Sequence, residues 1–62
     1  MKMEADERKK QIRQAAMKVF LDKGFRNTVM NDIMEATGLS RGGLYHHYGS
    51  TYEILYDIMV EG

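Results

Sequence analysis

The stretch of sequence that decides the fold lies at residues 38–50 and reads GLSRGGLYHHYGS. Its first residues have the composition of a tight turn, and Ser40 is a favoured residue for the start of a helix. The short helix that follows contains two glycines, each of which costs about 1 kcal/mol in a helix interior relative to alanine. A helix that accepts this cost while it carries arginine, tyrosine and histidine side chains is predicted to be a recognition surface, with nucleic acid as the expected target.

The length and composition of the chain indicate one small, all-helical domain. Its 62 residues include no cysteine and no proline, so neither a disulfide nor a thiolate metal site is expected. A chain of this size buries only about 60% of its unfolded surface, which predicts marginal stability. No apolar run approaches the ~20 residues of a membrane-spanning helix, and no signal-peptide pattern is present. We therefore expect a cytoplasmic protein without a cofactor or a metal.

The charges balance in number but not in position. Nine Lys and Arg residues face nine Asp and Glu residues, so the formal net charge is zero. Eight of the basic residues lie between Lys2 and Arg26, and the ninth is Arg41. From residue 42 onward there is no Lys or Arg, whereas three residues are acidic: Glu53, Asp57 and Glu61. This asymmetry is compatible with a basic DNA-binding side. A solvated helix face explains it equally well.

The first helix is predicted from about Asp6 to Lys23. Its apolar residues recur at helical intervals and form one face: Ile12, Ala15, Ala16, Val19 and Phe20. Gly24 is expected to end this helix as a left-handed residue. Phe25 then returns to the core as an anchor.

The second helix is predicted to follow a cap at Asn27 or Thr28 and to end at Gly38. Its inward face is made of four residues: Met30, Ile33, Met34 and Thr37. Only one residue separates Gly38 from the cap of the third helix, Ser40. Two helices joined by so short a turn cross steeply, as in a helix-turn-helix motif.

Two further helices are predicted after this turn. The third covers residues 41–48 and places Leu44 and Tyr48 inward. The fourth opens with a capping box of Ser50 and Glu53. Its apolar stripe has four residues: Ile54, Leu55, Ile58 and Met59. The tyrosines that recur every four residues are expected to pack between the third and fourth helices: Tyr48, Tyr52 and Tyr56.

The motif GLSRGGLYHHY at residues 38–48 matches a longer pattern along the chain. The positions outside the motif that share this pattern are Ile12, Ala15, Ala16, Phe20, Gly24, Phe25, Thr28, Asp32, Ile33, Ala36, Ser50 and Leu55. In this order of residues the chain resembles the N-terminal DNA-binding domain of tetracycline-repressor (TetR) family regulators. The resemblance implies a three-helix, homeodomain-like helix-turn-helix bundle at residues 1–49. Residues 50–62 would be the start of a fourth, connecting helix.

The family resemblance also implies a function and its partners. It implies sequence-specific binding to double-stranded, palindromic operator DNA as a transcriptional repressor. In the family, the fourth helix leads to a further domain, absent from this chain, through which two copies form a homodimer. A small-molecule effector that binds in that domain releases the DNA. The resemblance implies neither an enzymatic activity nor a membrane association.

The residues expected to contact DNA lie in the second and third helices and at their starts: Thr28, Asn31, Ser40, Arg41, Gly42, Gly43, Tyr45, His46 and His47. Arg41 can donate to guanine O6 and N7 or to a phosphate. Tyr45 can bond a phosphate or pack on a thymine methyl. By resemblance, His47 contacts a phosphate and Gly42 allows a close approach of the backbone.

Several of these residues keep a second interpretation. Helix capping alone explains Ser40 and accounts for Thr28, although the resemblance adds a phosphate contact to Thr28. Asn31 and His46 are as readily solvent-exposed side chains as DNA contacts. Gly43 stands where family members vary a base-reading side chain, so this chain gives up one specific contact.

Two positions depart from the family pattern. Thr51 stands where the family often has a lysine that touches a phosphate, and Met34 stands where a small residue is usual. A different class of function is a protein-interaction module that uses the apolar stripe of the fourth helix. An enzyme is the weakest hypothesis, because Asp32, Glu35 and the two histidines form no nucleophile–base pattern.

Overall fold

The computed structural model describes residues 4–61, and over this range the chain folds into four α-helices and one turn of 3₁₀ helix. The elements in chain order are α1 (Glu4–Lys23), the 3₁₀ turn (Phe25–Asn27), α2 (Met30–Thr37), α3 (Arg41–His47) and α4 (Thr51–Glu61). The predicted all-α fold and its helix-turn-helix are confirmed. None of these helices is both long and apolar enough to span a bilayer.

A single hydrophobic core joins the helices. Its buried members come from all four helices and from the residue that ends α3: Ile12, Ala16, Phe20, Ile33, Leu44, Tyr48 and Ile54. The faces predicted for α1 and α2 are thereby confirmed. Full burial of an Ile or Leu side chain contributes about 1.5–3 kcal/mol. The long helix α1 packs against both α2 and α4, so it is the scaffold on which the helix-turn-helix rests.

Gly24 ends α1, but its conformation differs from the prediction. Its φ of 85° is positive, whereas its ψ of 146° is extended rather than left-handed helical. The chain therefore turns sharply into Phe25, whose ring packs edge-to-face on Phe20 and on Tyr52, with both pairs of ring centroids 5.1 Å apart. The predicted role of Phe25 as an anchor is confirmed.

The predicted cap of α2 at Asn27 or Thr28 is wrong. The capping position is Val29, and its amide donates to the Asp32 carboxylate at 2.9 Å. Thr28 is buried instead, and its hydroxyl donates to the Gly24 carbonyl at 2.7 Å. The aspartate three residues into the helix replaces the missing polar cap side chain, because valine has no oxygen that can accept a hydrogen bond.

The turn between α2 and α3 has the predicted form. Gly38 adopts the left-handed conformation (φ 78°, ψ 6°), and its amide donates to the Met34 carbonyl at 2.8 Å. Ser40 caps α3, since its hydroxyl accepts a hydrogen bond from the Gly43 amide at 3.1 Å. This turn fixes the direction in which α3 leaves the core.

The start of α4 follows the prediction only in part. The Ser50 hydroxyl accepts from the Glu53 amide at 3.3 Å, but the Glu53 carboxylate accepts from the Gly49 amide at 2.8 Å rather than from Ser50. Tyr52 and Tyr56 are 72% and 67% exposed, so their predicted packing between α3 and α4 is wrong. The bend at residues 49–50 breaks the helical register that would have aligned them with the buried Tyr48.

The apolar stripe of α4 is shorter than predicted. Ile54 is buried, and Leu55 and Ile58 are partly buried against the core. Met59 is 66% exposed and Val60 is 62% exposed. The second half of α4 thus extends past the surface that the other helices offer it.

Candidate nucleic-acid interface

Helix α3 has one face in the core and one in solvent. Leu44 is fully buried and Tyr48 is 4% exposed. Arg41, Tyr45 and His46 are exposed. The predicted division of this helix into an inward and an outward face is confirmed. We call α3 the reading helix from here on.

Arg41 and Tyr45 form one unit on the outward face. They are four residues apart, so their side chains meet on the helix surface. The Arg41 guanidinium carbon lies 6.0 Å from the centroid of the Tyr45 ring, the outer limit of a cation–π contact. The pair presents five N–H donors and an aromatic ring to the same side of the helix.

The two glycines of the reading helix have different surroundings. A Cβ atom added at Gly42 would meet nothing within 4 Å, so this position is open on the outward face. A Cβ atom at Gly43 would lie 3.2 Å from the Ser40 hydroxyl that caps the helix. Gly42 therefore leaves the backbone bare, whereas Gly43 makes room for the cap.

The two histidines lie at the end of the reading helix. Their ring centroids are 5.1 Å apart and their planes are inclined at 77°. His46 is exposed and His47 is half-buried. Burial lowers the pKa of His47, and repulsion by His46, Lys9 and Arg8 lowers it further. The end of the reading helix is therefore close to the basic residues of α1, a contact that sequence spacing does not reveal.

The remaining predicted contacts are engaged inside the protein. The Thr28 hydroxyl donates to a backbone carbonyl from a buried side chain, and the Thr28 amide donates to the Phe25 carbonyl at 3.1 Å. The exposed Asn31 side chain donates to the Glu35 carboxylate at 3.4 Å. The Ser40 hydroxyl accepts from the helix that it caps. The Ser40 hydroxyl keeps its own proton to donate to a phosphate, and Asn31 keeps a second amide hydrogen. Only the buried Thr28 would have to give up a present hydrogen bond in order to donate to a phosphate.

A polar network that the sequence does not predict holds the end of the reading helix. The Asp57 carboxylate of α4 accepts from Arg13 of α1 at 3.1 Å and from the Tyr48 hydroxyl. Burial and the bond to Asp57 raise the pKa of Tyr48 to about 12. The Tyr48 bond lowers the pKa of Asp57, and Arg13 lowers it further. The three side chains, called here the Asp57 clamp, connect α1, α4 and the reading helix.

A helix-turn-helix whose second helix is anchored in the core and projects arginine, tyrosine and histidine outward defines a DNA-binding module. The comparisons with known proteins identify its family. The family model for bacterial regulatory proteins of the tetR family matches residues 12–58. The chain therefore belongs to the TetR family of DNA-binding transcriptional regulators, which confirms the resemblance seen in the sequence.

Curated relatives of this chain are transcriptional regulators. The chain is 44% identical over 57 residues to an uncharacterized HTH-type transcriptional regulator, YfiR, of Bacillus subtilis, covering 92% of this chain and 28% of the relative. It is 31% identical over 52 residues to the repressor KstR2 of Mycolicibacterium smegmatis, covering 84% of this chain and 25% of the relative.

Another relative is named as a transcriptional activator rather than a repressor. The chain is 39% identical over 49 residues to the HTH-type transcriptional activator FasR of Mycolicibacterium smegmatis, covering 79% of this chain and 22% of the relative. The chain thus spans about a quarter of the length of these relatives. No solved structure gives a significant match.

Proposed function

We propose that this chain recognises a specific operator by inserting the reading helix into the major groove of DNA. The observation that carries the proposal is the division of this helix. Leu44 and Tyr48 fix it in the core, while Arg41, Tyr45 and His46 project outward. An α-helix fits the major groove, where each base pair presents a distinct pattern of donors and acceptors.

The exposed groups suit particular contacts. The Arg41 fork matches guanine O6 and N7, and the Tyr45 ring suits the methyl group of a neighbouring thymine. The open position at Gly42 lets the backbone approach the DNA closely. His46 and His47 lie where the helix leaves the groove and serve the phosphate backbone. Thr28, Asn31 and Ser40 add phosphate contacts at the flanks.

In the whole regulator, two reading helices would act together. We expect a homodimer, joined through a further domain to which α4 leads, to bind a palindrome with half-sites about 34–36 Å apart, one turn of DNA. A small-molecule effector in that domain would release the operator. We propose repression as the regulatory effect, as stated in the name of the KstR2 relative.

Titration of this polypeptide against random and palindromic duplexes tests the proposal. A single copy of this domain is expected to bind with a dissociation constant of ~10⁻⁴ to 10⁻⁶ M, and its affinity should fall steeply as salt is added. Arg41→Ala should weaken binding by about 1–3 kcal/mol, measured by fluorescence anisotropy. Lys18→Ala is the matched control, because Lys18 is an exposed cation on α1. An equal loss of DNA affinity in Arg41→Ala and Lys18→Ala would show that the reading helix is not the DNA-binding surface.

A second function is favoured by the exposed side chains of α4. Tyr52, Tyr56, Met59 and Val60 are each more than 60% exposed, which suits a protein interface on this helix. Salt dependence separates the two functions, because phosphate contacts release counterions and an apolar interface does not.

A further inference from the structure

Four basic side chains converge where the end of the reading helix meets the first half of α1: Arg8, Lys9, His46 and His47, called here the basic cluster. The Lys9 ammonium lies 5.3 Å from the centroid of the Tyr48 ring, and Lys9 and His47 line the same open groove. Arg8 and Lys9 lie 38 positions before His46 and His47 in the sequence. Only the packing of α1 against the rest of the bundle brings them together.

Charged and titratable groups surround His47 on every element near it: Arg8 and Lys9 from α1, His46 and Tyr48 from the end of the reading helix, and Tyr52, Glu53, Tyr56 and Asp57 from α4. The two carboxylates in this set are already engaged. Glu53 accepts from the Gly49 amide at 2.8 Å, and Asp57 belongs to the Asp57 clamp. Both carboxylates keep their negative charge, and the pKa of Asp57, lowered mainly by the Tyr48 bond, is lowered further by Lys9, so they offset part of the repulsion. The basic neighbours still outweigh them at His47, whose pKa is lowered by burial and by His46, Lys9 and Arg8.

An anion bound in the basic cluster would relieve this repulsion. Burial and the electrostatic effect of His46, Lys9 and Arg8 hold the pKa of His47 below its ordinary value of 6.5 in the free protein. A nearby opposite charge favours the charged form of a titratable group, so a bound anion would raise that pKa. The same helix carries the exposed Arg41 and Tyr45, which makes a DNA phosphate the anion that would reach the cluster.

We propose that the basic cluster holds one backbone phosphate of bound DNA, with Lys9 as a direct contact, and that His47 takes up a proton when the phosphate arrives. The inference rests on the proposed function and adds α1 to the interface. Coupling between protonation of His47 and DNA binding predicts the direction in which affinity changes with pH. Affinity should rise as pH falls through the pKa of His47 in the complex, and level off below its pKa in the free protein.

The first test measures DNA affinity as a function of pH at constant ionic strength. Between the two pKa values of His47, log K should rise by up to about one unit for each unit of pH decrease. His47→Gln should remove most of this slope, whereas the control Lys18→Gln, which removes an exposed cation elsewhere on α1, should retain it. Calorimetry in two buffers of different ionisation enthalpy would report the proton uptake directly.

The second test concerns Lys9. Lys9→Met should raise the pKa of His47 in the free protein, measured by NMR titration of the imidazole, because one repelling charge is removed. It should also reduce the slope of log K against log salt by about 0.9, the loss of one phosphate contact. Lys18→Met keeps the helix and removes an exposed cation elsewhere on α1, so both quantities should stay unchanged.

The outcomes separate this inference from the function on which it rests. Salt-dependent binding that Arg41→Ala weakens, but that shows no pH slope, would overturn the inference and leave the proposed function intact. A pH slope that survives His47→Gln would also overturn it. If the folded chain, with helicity verified by circular dichroism, bound no DNA at low salt, the proposed function and this inference would fail together.

Discussion

The two faces of the reading helix differ in what their residues contact. The inward face ends at Tyr48, whose ring is buried and whose hydroxyl donates to Asp57. The outward face carries Arg41 and Tyr45, which are exposed and lie beside each other, and a glycine with open space around it. The inward face of this seven-residue helix therefore contributes to stability, and the outward face carries the groups proposed to recognise DNA.

The largest expected effect is on stability from the inward face. Leu44 is fully buried, and Leu→Ala substitutions in a core cost about 2–5 kcal/mol. Because a domain of this size has little stability to lose, Leu44→Ala should leave the chain largely unfolded. Urea titration followed by circular dichroism measures the change.

Tyr45→Ala is the matched substitution on the outward face. It should change the free energy of unfolding by no more than about 0.5 kcal/mol, as expected for a surface site, while it weakens DNA binding. A large loss of stability in Tyr45→Ala would show that the two faces are not independent.

An intermediate effect is expected from the Asp57 clamp. Tyr48→Phe removes the hydroxyl but keeps the buried ring, so it should cost about 1.5–3 kcal/mol, the range for a hydrogen bond to a charged group. The pKa of Tyr48 is raised from 10.0 to about 12. The stability associated with this shift is complete below pH 10 and is lost as pH rises towards 12.

Alkaline unfolding followed by far-ultraviolet circular dichroism measures this dependence. The wild-type chain should lose stability between pH 10 and about 12 more steeply than Tyr48→Phe does. Identical pH dependences in the two proteins would mean that the Tyr48 hydroxyl does not hold the reading helix in place.

The smallest effect is expected at the glycines. Gly42→Ala should stabilise α3 by about 0.5–1 kcal/mol, because the new methyl group meets open space. Gly43→Ala should gain less, since its methyl group would press on the Ser40 cap. For DNA affinity, Gly42→Ala is expected to be the more harmful of the two substitutions, because in the proposed complex its methyl group would project towards the DNA. Melting temperature and anisotropy, measured on the same two variants, report both effects.

The start of α2 is a feature that the sequence predicted only approximately. Asn27 and Thr28 are both favoured capping residues, so local propensity placed the helix start one or two positions too early. Asp32 decides the true start by accepting from the Val29 amide, and Lys23 of α1 pairs with the same carboxylate at 3.0 Å. The Asn27 and Thr28 side chains instead donate to the Lys23 and Gly24 carbonyls at the end of α1, so neither caps α2.

The sequence by itself determined the four helices, the glycine turn and the inward face of the reading helix. These features depend on apolar spacing and on residues that interact with near neighbours, so the information is local. The Asp57 clamp, the burial of Thr28 and the basic cluster were decided only by the tertiary structure. Arg13 meets Asp57 across 44 positions, and no local propensity encodes which charges meet once α1 packs against the other helices.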